Sequence, residues 1–176
     1  MTRSELEHVI RAAGANAKDR EIVVIGSQAV LGEYPGAPAV LLVSMEANVF
    51  PLSHPERAEK IDGAIGEGSR FHEEFGYYAQ GVSPLTATLP RGWRKRLVRI
   101  ENENTGGTAG LCLEVHDLAI SKYVAGRVKD LDFTRVLVRG QLVEKSKLIQ
   151  RLAATRLTPA LRKLVNGRIE RDFRFT

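Results

Sequence analysis

Two short segments carry residue types whose spacing suits phosphate and metal chemistry. Gly26-Ser27 stands between the apolar run Ile22-Val23-Val24-Ile25 and the helix-like stretch Gln28-Ala29-Val30-Leu31. A strand that ends in Gly-Ser and turns at once into a helix leaves backbone N–H groups pointing outward, which suits an anion. Gly26 has no Cβ to keep a phosphate from the backbone, and Ser27 adds a hydroxyl. Downstream, Val43-Ser44-Met45-Glu46-Ala47-Asn48-Val49-Phe50 reads as strand. Glu46 and Asn48, two apart, point to one face with Ser44, while Val43, Met45, Ala47 and Val49 are expected to bury the other. A phosphate cradle beside a strand that can ligate Mg²⁺ or Mn²⁺ is minimal equipment for transferring a nucleotidyl group.

A third segment adds cations. Residues 116–139 read as one long helix or two abutting ones, with Ile120, Val124, Val128 and Leu131 as an apolar stripe. On a continuous helix Lys122 lies about 160° from Ile120 and Lys129 almost directly above Lys122, with Asp130 about 80° off that line. Two ammonium groups on one face suit a triphosphate, an RNA backbone or plain water. Asp117, in the first turn, reads as a charge favoured by the helix dipole. A third acid is needed to hold metal or activate a hydroxyl. Glu114 is the candidate, and Glu101 and Glu103 are rivals that spacing does not separate.

The elements that must position these groups follow from periodicity and punctuation. Helix is expected over 4–15, with Ser4 and Glu7 spaced as a capping box. Strand follows at 21–25, then a short helix at 27–33 capped by Ser27. Pro35, Gly36 and Pro38 mark a loop, strand is expected over 39–50, and helix from His54 to about Gly66. Further strands are expected at 75–82, 97–101 and 111–115, with a polar Gly-rich loop at 102–110. Helices at 144–154 and 158–172 close the chain. The fold class is therefore α/β (α+β), a mixed central sheet flanked by helices with a C-terminal helical segment. Residues 1–140 are expected to form the α/β domain and 141–176 a basic helical segment packed on it.

Composition sets the remaining limits. The chain has 176 residues, 43% of them hydrophobic, which suits a packed core and not bulk disorder. Net charge is +5, but residues 141–176 alone carry nine Lys/Arg against three Asp/Glu. That basic segment is either a solvated helical face or a polyanion surface. Arg91-Gly-Trp-Arg-Lys-Arg-Leu-Val-Arg99 gathers five basic residues around the only tryptophan. The mixture can grip nucleic acid, although Trp93 is expected to anchor a core edge. The lone Cys112 excludes an internal disulfide and reads as a small buried hydrophobe. The four histidines show no metal-ligand spacing. The polar N-terminal segment and the shortness of the apolar run 39–43 lead us to expect no secretory leader, no membrane span and a cytoplasmic protein.

In this order, the Gly26-Ser27 turn, the Glu46-x-Asn48 strand and the segments Glu114-Val-His-Asp-Leu-Ala-Ile-Ser-Lys122 and Gly126-Arg127-Val128-Lys129-Asp130-Leu131-Asp132 resemble the nucleotidyltransferase superfamily. They look most like an uncharacterised bacterial branch of minimal nucleotidyltransferases related to the AbiEii-type toxins, over roughly residues 20–140. The resemblance implies a sheet of the nucleotidyltransferase type and transfer of NMP from an NTP to a hydroxyl of RNA, tRNA or protein. It also implies Mg²⁺ or Mn²⁺ at Glu46 and Asn48 and nucleotide binding by Gly26, Ser27 and Lys122, to which the residues themselves add Glu114 as the candidate third metal ligand and Lys129 as a second cation for the nucleotide. Catalytic work falls to Glu46, Asn48, Lys122 and Asp130, and a toxin–antitoxin pairing brings in an antitoxin protein. One departure stands out: Asn48 occupies the place of a second acid, and an amide is a poorer Mg²⁺ ligand. Two other readings follow from the same residues. One is a catalytically impaired nucleotide- or RNA-binding module on the same fold. The other is a nucleic-acid partner protein working through 91–99 and the basic tail.

Overall fold

The computed structural model describes residues 1–174. Phe175 and Thr176, the end of the expected basic segment, lie outside the described residues. The chain forms two compact units, Met1–Thr86 with Leu97–Leu113, and Ala87–Arg96 with Glu114–Thr176. The sequence places a division at 140. The contacts divide the chain after Leu113, because the two helices that follow pack against the last two.

The first unit holds a mixed five-stranded sheet of order β3-β2-β1-β5-β4. Its strands are β1 (Glu21–Val24), β2 (Glu46–Pro51), β3 (Tyr78–Gly81), β4 (Val98–Ile100) and β5 (Ala109–Cys112). The central β1 is antiparallel to β2 and parallel to β5. β3 adds parallel to β2, and β4 adds antiparallel to β5. Ile22, Val23 and Val24 are fully buried, as a strand covered on both faces requires. α1 (Arg3–Ala17) contributes Leu6, Val9, Ile10 and Ala13 to this core at helical spacing. α3 (Ala58–Ile65) adds Ile61 and Ile65, and α4 (Arg70–Phe75) leads into β3.

Several sequence expectations change here. The capping box of α1 is Thr2 with Glu5, two residues earlier than Ser4 with Glu7. Glu7 is instead buried and accepts from Asn102, Asn104 and Arg3. The expected strand 39–50 begins only at Glu46, because 39–41 is a 3-10 turn started by Pro38. Ser44 Oγ then bonds both the N–H and the C=O of Glu46, a local option that competes with a ladder. Val43 and Met45 are accordingly 81% and 55% exposed, whereas Ala47 and Val49 are buried as expected. The strand expected at 75–82 is confined to Tyr78–Gly81, because Phe75 ends α4, a helix capped by Ser69.

The second unit packs four helices: α5 (Val115–Ala125), α6 (Val128–Arg139), α7 (Lys145–Ala153) and α8 (Pro159–Phe173). Gly126 separates α5 from α6 with φ of 66°, a left-handed conformation that no β-carbon favours. The break dissolves the stripe expected on a continuous helix: Ile120 is buried, but Val128 is 79% exposed. Tyr123 fills the core of this unit, its hydroxyl donating to Asp172 at 3.0 Å. No helix among the described residues is long and apolar enough to cross a membrane.

Candidate active site

β1 runs into the Gly26-Ser27 turn, and β2, its antiparallel neighbour, begins with Glu46. The chain leaves the sheet through Ile25, whose N–H donates to Asn48 O at 3.0 Å. Gly26 caps the 3-10 turn Ser27–Ala29, which continues into the one-turn α2 (Val30–Glu33). Ser27 is therefore the first residue of the turn and not its cap. Gly26 is required by proximity: a β-carbon there would lie 2.7 Å from Asn48 Nδ2 and 3.1 Å from Asn48 Cβ. The turn and the acidic strand thus meet through Gly26 and Asn48.

The pleat of β2 puts Glu46 and Asn48, both half-buried, on one face, with Ala47 and Val49 buried on the other. Asn48 Nδ2 donates to Glu46 Oε1 at 2.6 Å. Tyr78, the register partner of Glu46 on β3, donates its hydroxyl to Glu46 Oε2 at 3.3 Å. Burial, then the Glu46 charge, raises the Tyr78 phenol above its ordinary range, so the hydroxyl stays a donor. The His72 ring lies 4.6 Å from the Tyr78 ring. Each Glu46 oxygen therefore has one neutral donor, and among the described residues no Lys, Arg or His forms an ion pair with the carboxylate. Sequence reasoning missed Tyr78, although its place opposite Glu46 follows once the β2–β3 register is known.

To a metal ion Glu46 would offer one anionic oxygen, and Asn48 Oδ1 a neutral one. Among the described residues no group of three or more His, Cys, Asp or Glu side chains gathers in a way that could hold a metal. Such a donor set would suit at most a single Mg²⁺, with its remaining oxygens drawn from water and substrate phosphates. It lacks the carboxylates that bridge a pair of ions.

The remaining expected residues belong to the second unit. Lys122 Nζ lies 3.2 Å from Asp130 Oδ1, and Arg127 Nε lies 2.6 Å from Asp130 Oδ2. Asp130 is fully buried, and Lys122 also sits over the Phe133 ring at 5.4 Å. Burial pulls the Lys122 ammonium below its ordinary range, with Asp130 opposing. Burial alone would lift the Asp130 carboxyl, but Arg127 and Lys122 outweigh it and hold it below the usual range. The break at Gly126 makes Asp130, not the exposed Lys129, the neighbour of Lys122. The expected two-lysine face is corrected accordingly.

Glu114 caps α5, accepting from Asp117 N at 3.2 Å and bonding His116 Nδ1. His116 Nε2 accepts from Glu144 N at 2.9 Å, which fixes the proton on Nδ1. Burial would raise the Glu114 carboxyl, yet the hydrogen bond from the His116 ring, with backbone N–H groups of His116 and Asp117, holds it below the ordinary range. Glu114 is thus employed as a helix cap. Of its rivals, Glu101 is exposed and bonded to Arg99 at 2.8 Å, and Glu103 is exposed in a 3-10 turn. Asp117 is no simple dipole charge: its carboxylate is fully buried, gripped by Arg96 at 2.8 and 3.0 Å and by Arg151 at 3.2 Å. Arg96 is thereby withdrawn from the 91–99 patch. Trp93 is half-buried, with the Arg94 guanidinium 5.3 Å from its ring centroid.

A mixed sheet whose first strand ends in Gly-Ser, beside an antiparallel strand presenting Glu and Asn on one face, has the layout of a nucleotidyltransferase-like domain. The chain belongs to the family described as nucleotidyltransferase of unknown function (DUF6036), whose model matches residues 4–158. No curated protein and no solved structure matches the chain.

Proposed function

We propose that the chain is a metal-dependent nucleotidyltransferase that moves an NMP from an NTP to a hydroxyl acceptor. The observation that carries this reading is the junction of turn and strand: Gly26 abuts Asn48, and Asn48 holds Glu46. Gly26 and Ser27 would bind phosphate oxygens through backbone N–H groups and a hydroxyl. Glu46 and Asn48 Oδ1 would hold one Mg²⁺ or Mn²⁺, which when bound supplies charge neutralisation at the phosphates. The acceptor oxygen attacks the α-phosphorus, its proton passes to a carboxylate or water, and the bond to the bridging oxygen breaks to release pyrophosphate. Lys122 and Asp130, to which the resemblance gives catalytic work, form an ion pair within the second unit. An RNA 3′ end, tRNA or protein hydroxyl is the acceptor class, and a toxin role with a protein antitoxin follows only from the resemblance described above.

Incubation with labelled NTPs, Mg²⁺ or Mn²⁺ and total RNA is expected to label an acceptor, and Glu46→Ala is expected to abolish the label. Transfer indifferent to Glu46→Ala would remove the mechanism. A second reading, a nucleotide-binding module without turnover, is favoured by Asn48 itself, whose amide stands where an acid would complete the metal set. Calorimetry separates the two: NTP affinity indifferent to Mg²⁺, with no transfer, supports the module. Asn48→Asp is expected to raise transfer if the remaining site is competent.

A further inference from the structure

Gln28 follows the Gly-Ser turn, and its side chain is fully buried. Its Nε2 donates to Ser44 O at 2.9 Å. Ser44 in turn fixes the start of β2, accepting from Glu46 N at 3.1 Å and donating to Glu46 O at 3.1 Å through one hydroxyl. The amino group of Met1 reaches the same Ser44 carbonyl at 3.2 Å. The other half of the amide has no such use, because Gln28 Oε1 is buried and makes no hydrogen bond among the described residues. A buried amide with an orphaned oxygen opposes folding, since its desolvation is uncompensated. A methionine would fill the same space without that penalty. What the amide adds over an apolar side chain is its single N–H bond, and that bond ends two residues from Glu46.

We infer that Gln28 is a positioning residue, tying the phosphate-binding turn to the carboxylate strand by holding Ser44 so that Glu46 enters the site at a fixed point. The inference rests on the functional reading that Glu46 takes part in metal-nucleotide binding. Sequence spacing hides the link, because 16 positions separate donor from acceptor.

The test uses Mn²⁺ with α,β-methylene-ATP, followed by electron paramagnetic resonance, beside thermal melts. Gln28→Met is expected to weaken Mn²⁺ binding roughly tenfold or more, in the range typical of groups that orient a metal ligand, with an unchanged or higher Tm. Ser44→Ala is expected to weaken binding similarly, and the double variant no further than the larger single effect, because both act through one link. A purely structural role for Gln28 predicts the reverse, a lower Tm with unaltered Mn²⁺ affinity. Unaltered affinity in Gln28→Met, or effects that multiply in the double variant, would overturn the inference. Should Gln28→Met fail to fold, Ser44→Ala alone decides: wild-type affinity there overturns the inference. Glu46→Ala separates the layers. If it binds Mn²⁺ as wild type does, the functional reading falls and this inference with it. If it alone abolishes binding, only the role of Gln28 and Ser44 falls.

Discussion

Gly26→Ala is the smallest perturbation that probes whether the turn and the strand work as one site. The backbone at Gly26, φ −84° and ψ −171°, is open to alanine, so conformational strain plays no part. The added carbon would stand 2.7 Å from Asn48 Nδ2, and ordinary contact begins at 3.4 Å, so the amide must retreat by 0.7 Å. A retreat of that size stretches the 2.6 Å bond from Asn48 to Glu46 toward the limit of hydrogen bonding. Overpacking of this kind costs about 1–3 kcal/mol. The smaller unfolded-state entropy of alanine offsets about 0.4–1 kcal/mol, leaving a net cost of up to about 2.6 kcal/mol. That corresponds to a Tm lowered by up to about 10 °C in a chain of this length. Misplacement of a reacting group by such a distance is expected to lower transfer by up to about 100-fold. The assay pairs thermal melts with label transfer, and adds Gly26→Ala/Asn48→Ala. Deleting the Asn48 amide makes room, so the double variant should regain Tm while activity stays low. Wild-type Tm and activity in Gly26→Ala would refute the contact between turn and strand.

Three further outcomes follow from the structure. Asp117→Asn leaves Arg96 and Arg151 facing a neutral amide in place of a fully buried carboxylate, and breaking such a set costs about 3–5 kcal/mol; a thermal melt within 2 °C of wild type, roughly the equivalent of 1 kcal/mol at most, would contradict it. Asp130 has a folded pKa below its ordinary 3.8, so the stability it adds is present above that pH and is lost as pH falls through the depressed value. Asp130→Asn should therefore be less stable than wild type at neutral pH, and urea titrations should show the gap narrowing below pH 3.8. Cys112 is fully buried, and burial pushes its thiol up to about 12; an aromatic disulfide reagent should titrate it in denaturant and leave it unmodified in the folded protein at neutral pH.

Local chemistry in the sequence determined much of the frame. The run Ile22 to Ile25 has the apolar continuity of a strand buried on both faces, and it forms the sheet centre. Glu46 and Asn48 share a face because side chains in any strand alternate with period two. The helices expected from periodicity over 4–15, 144–154 and 158–172 form at 3–17, 145–153 and 159–173, although the cap of the first is Thr2 and not Ser4. Position 126 is different: a glycine inside a helical pattern can be tolerated or can end the helix. Only packing settled the left-handed break, with the Arg168 guanidinium occupying the space where a β-carbon would stand. That one choice moved Asp130 beside Lys122 and left Lys129 exposed. Tertiary structure likewise decided that Glu114 caps a helix, that Asp117 is buried between two arginines, and that Tyr78 and Gln28 serve Glu46 directly and through Ser44. Spacing along the chain encodes which side of an element a residue faces. Who its partner is depends on strand register, helix breaks and contacts between residues far apart in sequence, and those are fixed only when the whole core closes.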